Sequence, residues 1–148
     1  MSLDPDHPVR ALDQHGLEML DREECLQLLA DSSFGRVGVT LAAMPVILPV
    51  NFRLVAEQVV FRTSPGTKLD AAVRNAVLAF EVDDVHPVSH GGWSVLVTGI
   101  AEQVVDPDEV TRLSAAHVPR WTAEVDDHFV TIPTTVVTGR RLRSNGSI

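Results

Sequence analysis

A cationic, hydroxyl-rich turn lies near the middle of the chain, directly after an apolar stretch that ends at Phe61. Residues 62–68 of this turn read RTSPGTK, and Lys68 is the only lysine among 148 residues. Arginine and lysine donate charge-assisted hydrogen bonds to phosphate oxygens, hydroxyls add neutral ones, and Gly66 lets a ligand come close to the backbone. The turn therefore predicts a phosphate-binding site. Its candidate ligands are Arg62, Thr63, Ser64, Thr67 and Lys68.

A helix is expected to begin at this turn, since Leu69, Ala72 and Val73 recur at the spacing of one apolar helix face. The free N–H groups and the dipole of a helix start attract anions. In the ordinary alternative, Thr67 is only an N-cap and Lys68 an exposed first-turn residue. A cation in the first turn opposes the helix dipole, so the position of Lys68 favours the anion site.

Six strand regions are predicted around this turn from alternating or continuous apolar stretches. They span residues 36–42, 46–54, 58–62, 77–83, 93–105 and 128–142. Their short connections make neighbouring strands antiparallel. The fifth region is expected to bend near Gly99, and the last is interrupted at Pro133. Two further short helices are expected to begin at Asp21 and Asp106 as N-caps. The pattern predicts a mainly β protein, a small antiparallel barrel with short peripheral helices.

Composition limits the possible classes of function. The net charge of −8 and the absence of a basic stripe argue against a general nucleic-acid-binding surface. No stretch approaches the roughly 20 apolar residues of a membrane-spanning helix. The first eight residues lack the basic and apolar regions of a signal peptide, so a cytoplasmic location is expected. The sole cysteine, Cys25, has no partner for an internal disulfide.

The chain length fits one domain, which we expect over residues 19–143, after a flexible arm over 1–18 and before a tail over 144–148. No metal site is expected, because His86, His90, His117 and His128 lack the spacing of metal ligands. No Ser-His-Asp or Cys-His arrangement can be read from the order of residues. Any chemistry is therefore expected to belong to a cofactor.

Five segments, taken in their order and spacing, resemble the pyridoxamine 5′-phosphate oxidase-like FMN-binding split-barrel family, particularly its short actinobacterial-type members. The segments are 35–39 (GRVGV), 45–52 (PVILPVNF), 61–69 (FRTSPGTKL), 92–99 (GWSVLVTG) and 137–142 (VTGRRL). The resemblance extends over about residues 20–142. It implies a six-stranded antiparallel split β-barrel that forms a homodimer, with FMN bound at the subunit interface.

The resemblance also implies roles for particular residues. The phosphate is expected to be held by Arg62, Thr63, Thr67 and Lys68. Phe61 and Ser64, in the same segment, are also expected to contact the cofactor. The isoalloxazine ring of the flavin is expected along Pro49, Val50, Asn51 and Phe52. The partner subunit is expected to close the site with Trp93 or Trp121. For Trp93, an ordinary role as a core anchor remains open, since buried tryptophans are common in cores and interfaces alike.

The resemblance implies an FMN-dependent oxidoreductase acting on an unidentified small molecule. Oxidation of vitamin B6 itself is not expected, because true pyridoxamine phosphate oxidases are longer and carry a basic C-terminal substrate motif. The deazaflavin F420 is the alternative cofactor, but its long acidic tail would need an extended basic groove. Two other functions stay open. One is a non-catalytic flavin carrier, store or sensor. The other is a cofactor-free module, which pairing of Lys68 and Arg62 with the chain's own carboxylates, such as Asp70, would favour.

Overall fold

The computed structural model describes residue 12 and residues 17–119 and 127–142. Within them the chain forms nine strands and three short helices. In chain order these are β1 (Glu18–Leu20), α1 (Arg22–Ala30), β2 (Phe34–Leu41), β3 (Met44–Val55), β4 (Gln58–Thr63), α2 (Lys68–Ala72), β5 (Val77–Val85), β6 (Gly92–Ile100), β7 (Glu102–Gln103), α3 (Pro107–Ala115), β8 (His128–Pro133) and β9 (Val136–Leu142).

All nine strands belong to one antiparallel sheet in the order β1-β9-β6-β5-β2-β3-β4-β8-β7. The sheet curls on itself, which brings β6 against β8. A Cβ added at Gly99 on β6 would lie 3.3 Å from both Ile132 Cγ2 and Pro133 O on β8, so glycine permits this close approach. The predicted mainly β, antiparallel split-barrel class with short helices is confirmed.

The predicted number of six strands was wrong, and two of the predicted regions each divide. The region 93–105 breaks at Ala101, which is buried and whose N–H bonds to Ala76 O, so β6 and β7 pair with different neighbours. The region 128–142 breaks after Pro133, whose nitrogen has no hydrogen to donate to a ladder. There β8 pairs with β4, whereas β9 pairs with β6.

The ninth strand, β1, lies at one edge of the sheet, where it pairs with β9. Its first residue, Glu18, falls inside the predicted arm over 1–18, and Leu12 forms an isolated bridge to it. The rest of that arm and the tail over 144–148 lie outside the described residues, apart from Leu17. The proposed division of the chain therefore stays a prediction.

The main core fills the inside of the curled sheet and is built around three phenylalanines. Phe52, Phe61 and Phe80 are fully buried, and the rings of Phe52 and Phe80 meet edge to face with centroids 4.7 Å apart. Such pairs add favourable quadrupole contacts to the burial of apolar area. A smaller cluster packs under α3. It consists of Val60, Leu113, Val118 and Phe129.

The helix starts agree with the predicted caps. The Asp21 carboxylate accepts from Glu24 N at 2.8 Å, and the Asp106 carboxylate accepts from Asp108 N at 3.2 Å. Thr67 caps α2, which is only five residues long and so has a weak dipole. None of the described helices is long and apolar enough to cross a bilayer.

Candidate functional site

A cleft of about 220 Å³ opens where β3 and β4 separate. Their ladder ends at the pair Phe52–Phe61. Beyond it, residues 49–51 of β3 pair with β2, while residues 62–63 of β4 pair with β8. The cleft therefore has a strand on each side and the cationic turn at one end. Its lining residues are Pro49, Val50, Asn51, Arg62, Thr63, Ser64, Thr67, Leu69, Pro119 and Asp127.

Seven of the twelve predicted site residues meet in this cleft. They are Pro49, Val50, Asn51, Arg62, Thr63, Ser64 and Thr67. Two sequence segments, one in β3 and one at the end of β4, were assigned to opposite ends of one ligand, and the fold places them side by side. Antiparallel pairing of consecutive strands produces this neighbourhood, since a short connection returns β4 along β3.

Arg62 is held firmly in the wall of the cleft. Its Nε donates to Val118 O at 3.0 Å, and its guanidinium lies 4.4 Å from the centroid of the Phe129 ring. A cation over an aromatic face is attracted by the ring quadrupole, and stacking fixes the plane of the guanidinium. Arg62 thus presents a positive charge in a defined orientation beside the cleft.

The turn itself is closed by hydrogen bonds within the chain. Thr67 Oγ1 donates to Ser64 O at 2.8 Å and accepts from Asp70 N at 3.1 Å, while Thr67 N donates to Ser64 O at 3.3 Å. Gly66 has φ of +78°, a conformation that glycine adopts without strain. Thr67 is therefore both an N-cap, as the ordinary alternative proposed, and a lining residue of the cleft.

A buried carboxylate, Asp70, supports the turn from below. Its Oδ1 accepts from Thr63 Oγ1 and lies 2.8 Å from His128 Nδ1, and its Oδ2 accepts from Gly66 N at 3.4 Å and pairs with Arg74 Nη2 at 3.3 Å. The residue is only 3% exposed.

Sequence reasoning missed this network around Asp70. The available signal was the spacing of Thr67 and Asp70, three apart as in a capping box, which places an acidic side chain at the helix start. Burial raises the pKa of Asp70, but hydrogen bonds with His128 and Thr63 outweigh it, so the pKa lies below its ordinary value.

Lys68 differs from the other predicted ligands. It is exposed, it is not part of the cleft wall, and within the described chain it makes no hydrogen bond or ion pair. The ion pair with Asp70 that would favour a cofactor-free module is not formed, because Asp70 is engaged by His128 and Arg74 instead.

Three more of the predicted residues, Phe52, Phe61 and Trp93, are not part of the cleft wall. The side chains of Phe52 and Phe61 are fully buried in the main core, so they support the cleft rather than face it. Trp93, on β6 opposite Asp84, packs partly buried against the same core, in agreement with its ordinary role as an anchor. Trp121 lies outside the described residues.

The outer face of the sheet continues from the cleft and is partly apolar. Ile47 is 72% exposed and lies on the same side of β3 as Pro49, two residues on. Val77 and Val136 are 67% and 58% exposed. A shallow groove of about 330 Å³ runs across β2, β3, β5 and β6 on this face. It is lined by Gly38, Val39, Thr40, Pro45, Val46, Ile47, Val77, Leu78, Ala79 and Thr98.

A charged cluster lies at one end of this outer face. Arg36 Nη1 donates to Asp83 Oδ2 at 3.2 Å and lies 3.7 Å from Glu81 Oε1. The ion pair of Arg36 with Glu81 is therefore longer than its hydrogen bond to Asp83. Burial and the neighbouring Asp83 raise the pKa of Glu81 to about 7. Pro49 pairs with Arg36 across the ladder, so the cluster adjoins the cleft.

The fold and the cleft define a split β-barrel of the pyridoxamine 5′-phosphate oxidase class. Residues 21–141 match the family described as "Pyridoxamine 5'-phosphate oxidase", and the chain belongs to that family. It is 42% identical over 128 residues to the uncharacterized protein Rv0080 of Mycobacterium tuberculosis, covering 83% of this chain and 84% of that protein.

Two solved structures are similar over most of the chain. The FAD binding protein from Mycobacterium smegmatis has a TM-score of 0.76 and 39% identity, covering 84% of this chain and 98% of that one. The putative pyridoxamine 5'-phosphate oxidase from Corynebacterium glutamicum has a TM-score of 0.75 and 31% identity, covering 86% and 98%.

Proposed function

We propose that the cleft between β3 and β4 binds a flavin nucleotide and that the protein is a flavin-dependent oxidoreductase acting on a small molecule. One observation carries the proposal: the β3–β4 ladder stops at Phe52–Phe61, and the cleft beyond it joins the strand 49–51 to the cationic turn. The name of the similar Mycobacterium smegmatis protein, which states that it binds FAD, supports a flavin as the occupant.

The two sides of the cleft suit the two ends of a flavin nucleotide. Arg62 and the Ser64 hydroxyl can donate to phosphate oxygens, and Phe129 and Val118 O hold the guanidinium of Arg62 in place. On the other side, residues 49–51 have no ladder partner toward β4 among the described strands, so backbone groups there can hydrogen-bond the polar edge of the isoalloxazine ring. The flavin supplies the redox chemistry, and the chain binds and orients it.

A homodimer completes the proposed site. A cleft of about 220 Å³ is smaller than the roughly 300 Å³ or more typical of sites for ligands of this size. Its lining residue Pro49 lies on the same side of β3 as Ile47, and the outer face also exposes the apolar residues Val77 and Val136. A second copy packed on this face would bury those side chains and add a wall to the cleft. Trp93 and Trp121 of this second copy remain the proposed contributors.

FMN and FAD are both candidate occupants. FMN matches a single compact phosphate site at the turn, whereas the FAD of the Mycobacterium smegmatis protein needs further room for its adenosine. F420 is less favoured, because Arg62 is the only cation among the described lining residues and Asp127 lies beside it. A long acidic tail would meet little positive charge there.

A visible absorption spectrum of the freshly purified protein tests the cofactor, together with mass spectrometry of any small molecule released by heat. Flavin bands and an FMN or FAD mass would support the proposal and distinguish the two nucleotides. A colourless protein that binds neither added FMN nor added FAD would contradict it.

A non-catalytic flavin carrier, store or sensor is the second candidate. The observation that favours it is the cleft wall itself, in which Arg62 and Asp127 are the only ionisable groups among the described lining residues. Rapid reduction of the bound flavin by NADH or NADPH, followed by repeated turnover with an acceptor, would support the oxidoreductase. Slow reduction without turnover would support the carrier.

A further inference from the structure

The carboxylate beneath the turn poses an electrostatic problem for the proposed phosphate site. Asp70 is 3% exposed and has a lowered pKa, so it carries its negative charge inside the protein. Thr63, whose hydroxyl donates to this carboxylate, lines the cleft, and so does Thr67, which accepts from the backbone N–H of Asp70. A phosphate bound at the turn would therefore lie close to a buried negative charge, where like charges repel much more than they do in water.

Two cationic groups oppose this charge, and they are not equivalent. Arg74 pairs with Asp70 Oδ2 at 3.3 Å, but its side chain is 58% exposed and solvent screens it. His128 lies closer, with Nδ1 2.8 Å from Asp70 Oδ1, and its side chain is only 28% exposed. The imidazole cancels the carboxylate charge only when it is protonated.

The charged and titratable groups around Asp70 come from three elements. Lys68 and Arg74 lie on or just after α2, Arg62 lies on β4, and His128 begins β8 next to Asp127. Of these residue types, only histidine normally changes its charge between pH 5 and 8. The net charge beneath the turn therefore depends on whether the imidazole of His128 carries a proton.

We propose that His128 and Asp70 form a proton-linked pair that sets the affinity of the turn for the flavin phosphate. With His128 protonated, the pair is neutral and the phosphate binds Arg62 and the turn without opposition. With His128 neutral, the charge of Asp70 weakens binding. By linkage, phosphate binding then draws a proton onto the imidazole. The inference rests on the proposed flavin site and assigns both residues a positioning role.

The test measures FMN binding by quenching of flavin fluorescence at about pH 5.5 and about pH 8.5, on either side of the usual histidine pKa. Riboflavin, which lacks the phosphate, is the control ligand. In the native protein we expect FMN to bind about five- to tenfold more tightly at the lower pH, the size of a modest coupling between sites. The affinity for riboflavin should not change.

Two isosteric variants isolate the pair. His128→Asn keeps a donor near the position of Nδ1 but takes up no charge, so FMN should bind weakly at both pH values. Asp70→Asn keeps the shape of the carboxylate without its charge, so FMN should bind tightly at both. The phosphate of FMN itself titrates near the lower pH, but it does so equally in every protein tested.

His90→Asn is the matched control. His90 lies in the β5–β6 loop with φ of +59°, a conformation that asparagine tolerates well, and it is not part of the cleft wall. This variant should keep the pH dependence of the native protein. A circular dichroism spectrum of each variant checks that it folds. If Asp70→Asn does not fold, His128→Asn and the riboflavin control still test the proton-linked pair.

The outcomes separate this inference from the proposed function. If the native protein binds FMN with the same pH dependence as His128→Asn, the proton-linked pair is refuted while the flavin site stands. If riboflavin shows the same pH dependence as FMN, the effect does not act through the phosphate and the inference also fails. If the native protein binds neither FMN nor riboflavin, the proposed function fails and the inference falls with it.

Discussion

The turn after β4 and the outer face of the sheet each hold a carboxylate that is wholly or partly buried. The pKa values of these two carboxylates are shifted in opposite directions. Asp70 has the more buried side chain, 4% exposed against 37% for Glu81, yet its pKa is lowered and that of Glu81 is raised to about 7. Donors surround Asp70, whereas Glu81 has Asp83 beside it and shares Arg36 with it. The supply of donors, more than the depth of burial, decides the charge state.

The two regions should therefore respond oppositely to pH. The stabilising contribution of Asp70 is present above its ordinary pKa and is lost as the pH falls through its lower folded value. Glu81 binds its proton more tightly in the folded state, so its contribution declines as the pH rises from about 4.5 to about 7. Substitutions in the two regions test this difference.

The largest effect is expected from removing the buried carboxylate. Asp70→Ala leaves Thr63, His128 and a backbone N–H without their acceptor, so the free energy of unfolding should fall by about 2–3 kcal/mol. Asp83→Ala on the outer face is the matched control and should cost less than about 1 kcal/mol, because it breaks a half-exposed ion pair. Urea unfolding near neutral pH measures both, and equal losses would contradict the contrast between the regions.

Next in size is the loss of the stacked cation at the cleft. Arg62→Ala should weaken FMN binding by about 2 kcal/mol, roughly thirtyfold, the usual value for a hydrogen bond to a charged group. Arg62→Lys should restore little, since lysine lacks the planar fork. Lys68→Ala serves as the control and should cost under about 0.5 kcal/mol, because its side chain is exposed. A larger effect at Lys68 than at Arg62 would place the phosphate elsewhere.

A charge placed on the outer face tests whether a second copy covers it. Ile47→Glu should weaken self-association about tenfold or more, since it removes an apolar contact and buries a charge. Flavin should be lost in parallel if the second copy completes the cleft. Val88→Glu, which changes an equally exposed residue in the β5–β6 loop, is the control. Sedimentation velocity measures the association, and an unchanged dimer would exclude this face as the interface.

The smallest effect concerns the raised carboxyl of the outer face. Glu81→Gln should stabilise the protein above pH 7 by on the order of 1 kcal/mol, a value reduced for solvent screening, and should change little near pH 4. Thermal or urea unfolding across this range should show a flatter pH dependence than the native protein has. The same slope in both proteins would mean that Glu81 does not titrate near 7.

Local sequence was enough to predict the turn and the strands that flank it. Gly66, the Thr67 cap and the interruption at Pro133 are encoded by the chemistry of single residues, and short connections determine which strands pair. The β1 strand was missed, because three residues carry no periodic pattern and owe their conformation to β9. The contact of His128 with Asp70 was missed for the same reason, since it spans 58 residues and depends on the pairing of β4 with β8.

The rarity of a residue type in the sequence indicated the cleft residues less well than the position of each residue in the fold. Lys68 drew attention as the only lysine, but the structure places it outside the cleft wall. Arg62 is one of several arginines, and its importance becomes visible only when Phe129 and Val118 come from distant segments to hold it. The direction in which the Lys68 side chain points from α2 depends on tertiary packing. The sequence around Lys68 alone could therefore not predict it.

The self-contained hydrogen bonding of the turn has a consequence for the life of the protein in the cell. Ser64, Gly66 and Thr67 are hydrogen-bonded to groups of the chain itself. Binding then adds stability only by mass action and does not have to create the fold. Under the flavin function proposed above, we expect apoprotein made in a cell short of riboflavin to stay folded and to bind flavin once the vitamin returns, without new synthesis of the chain.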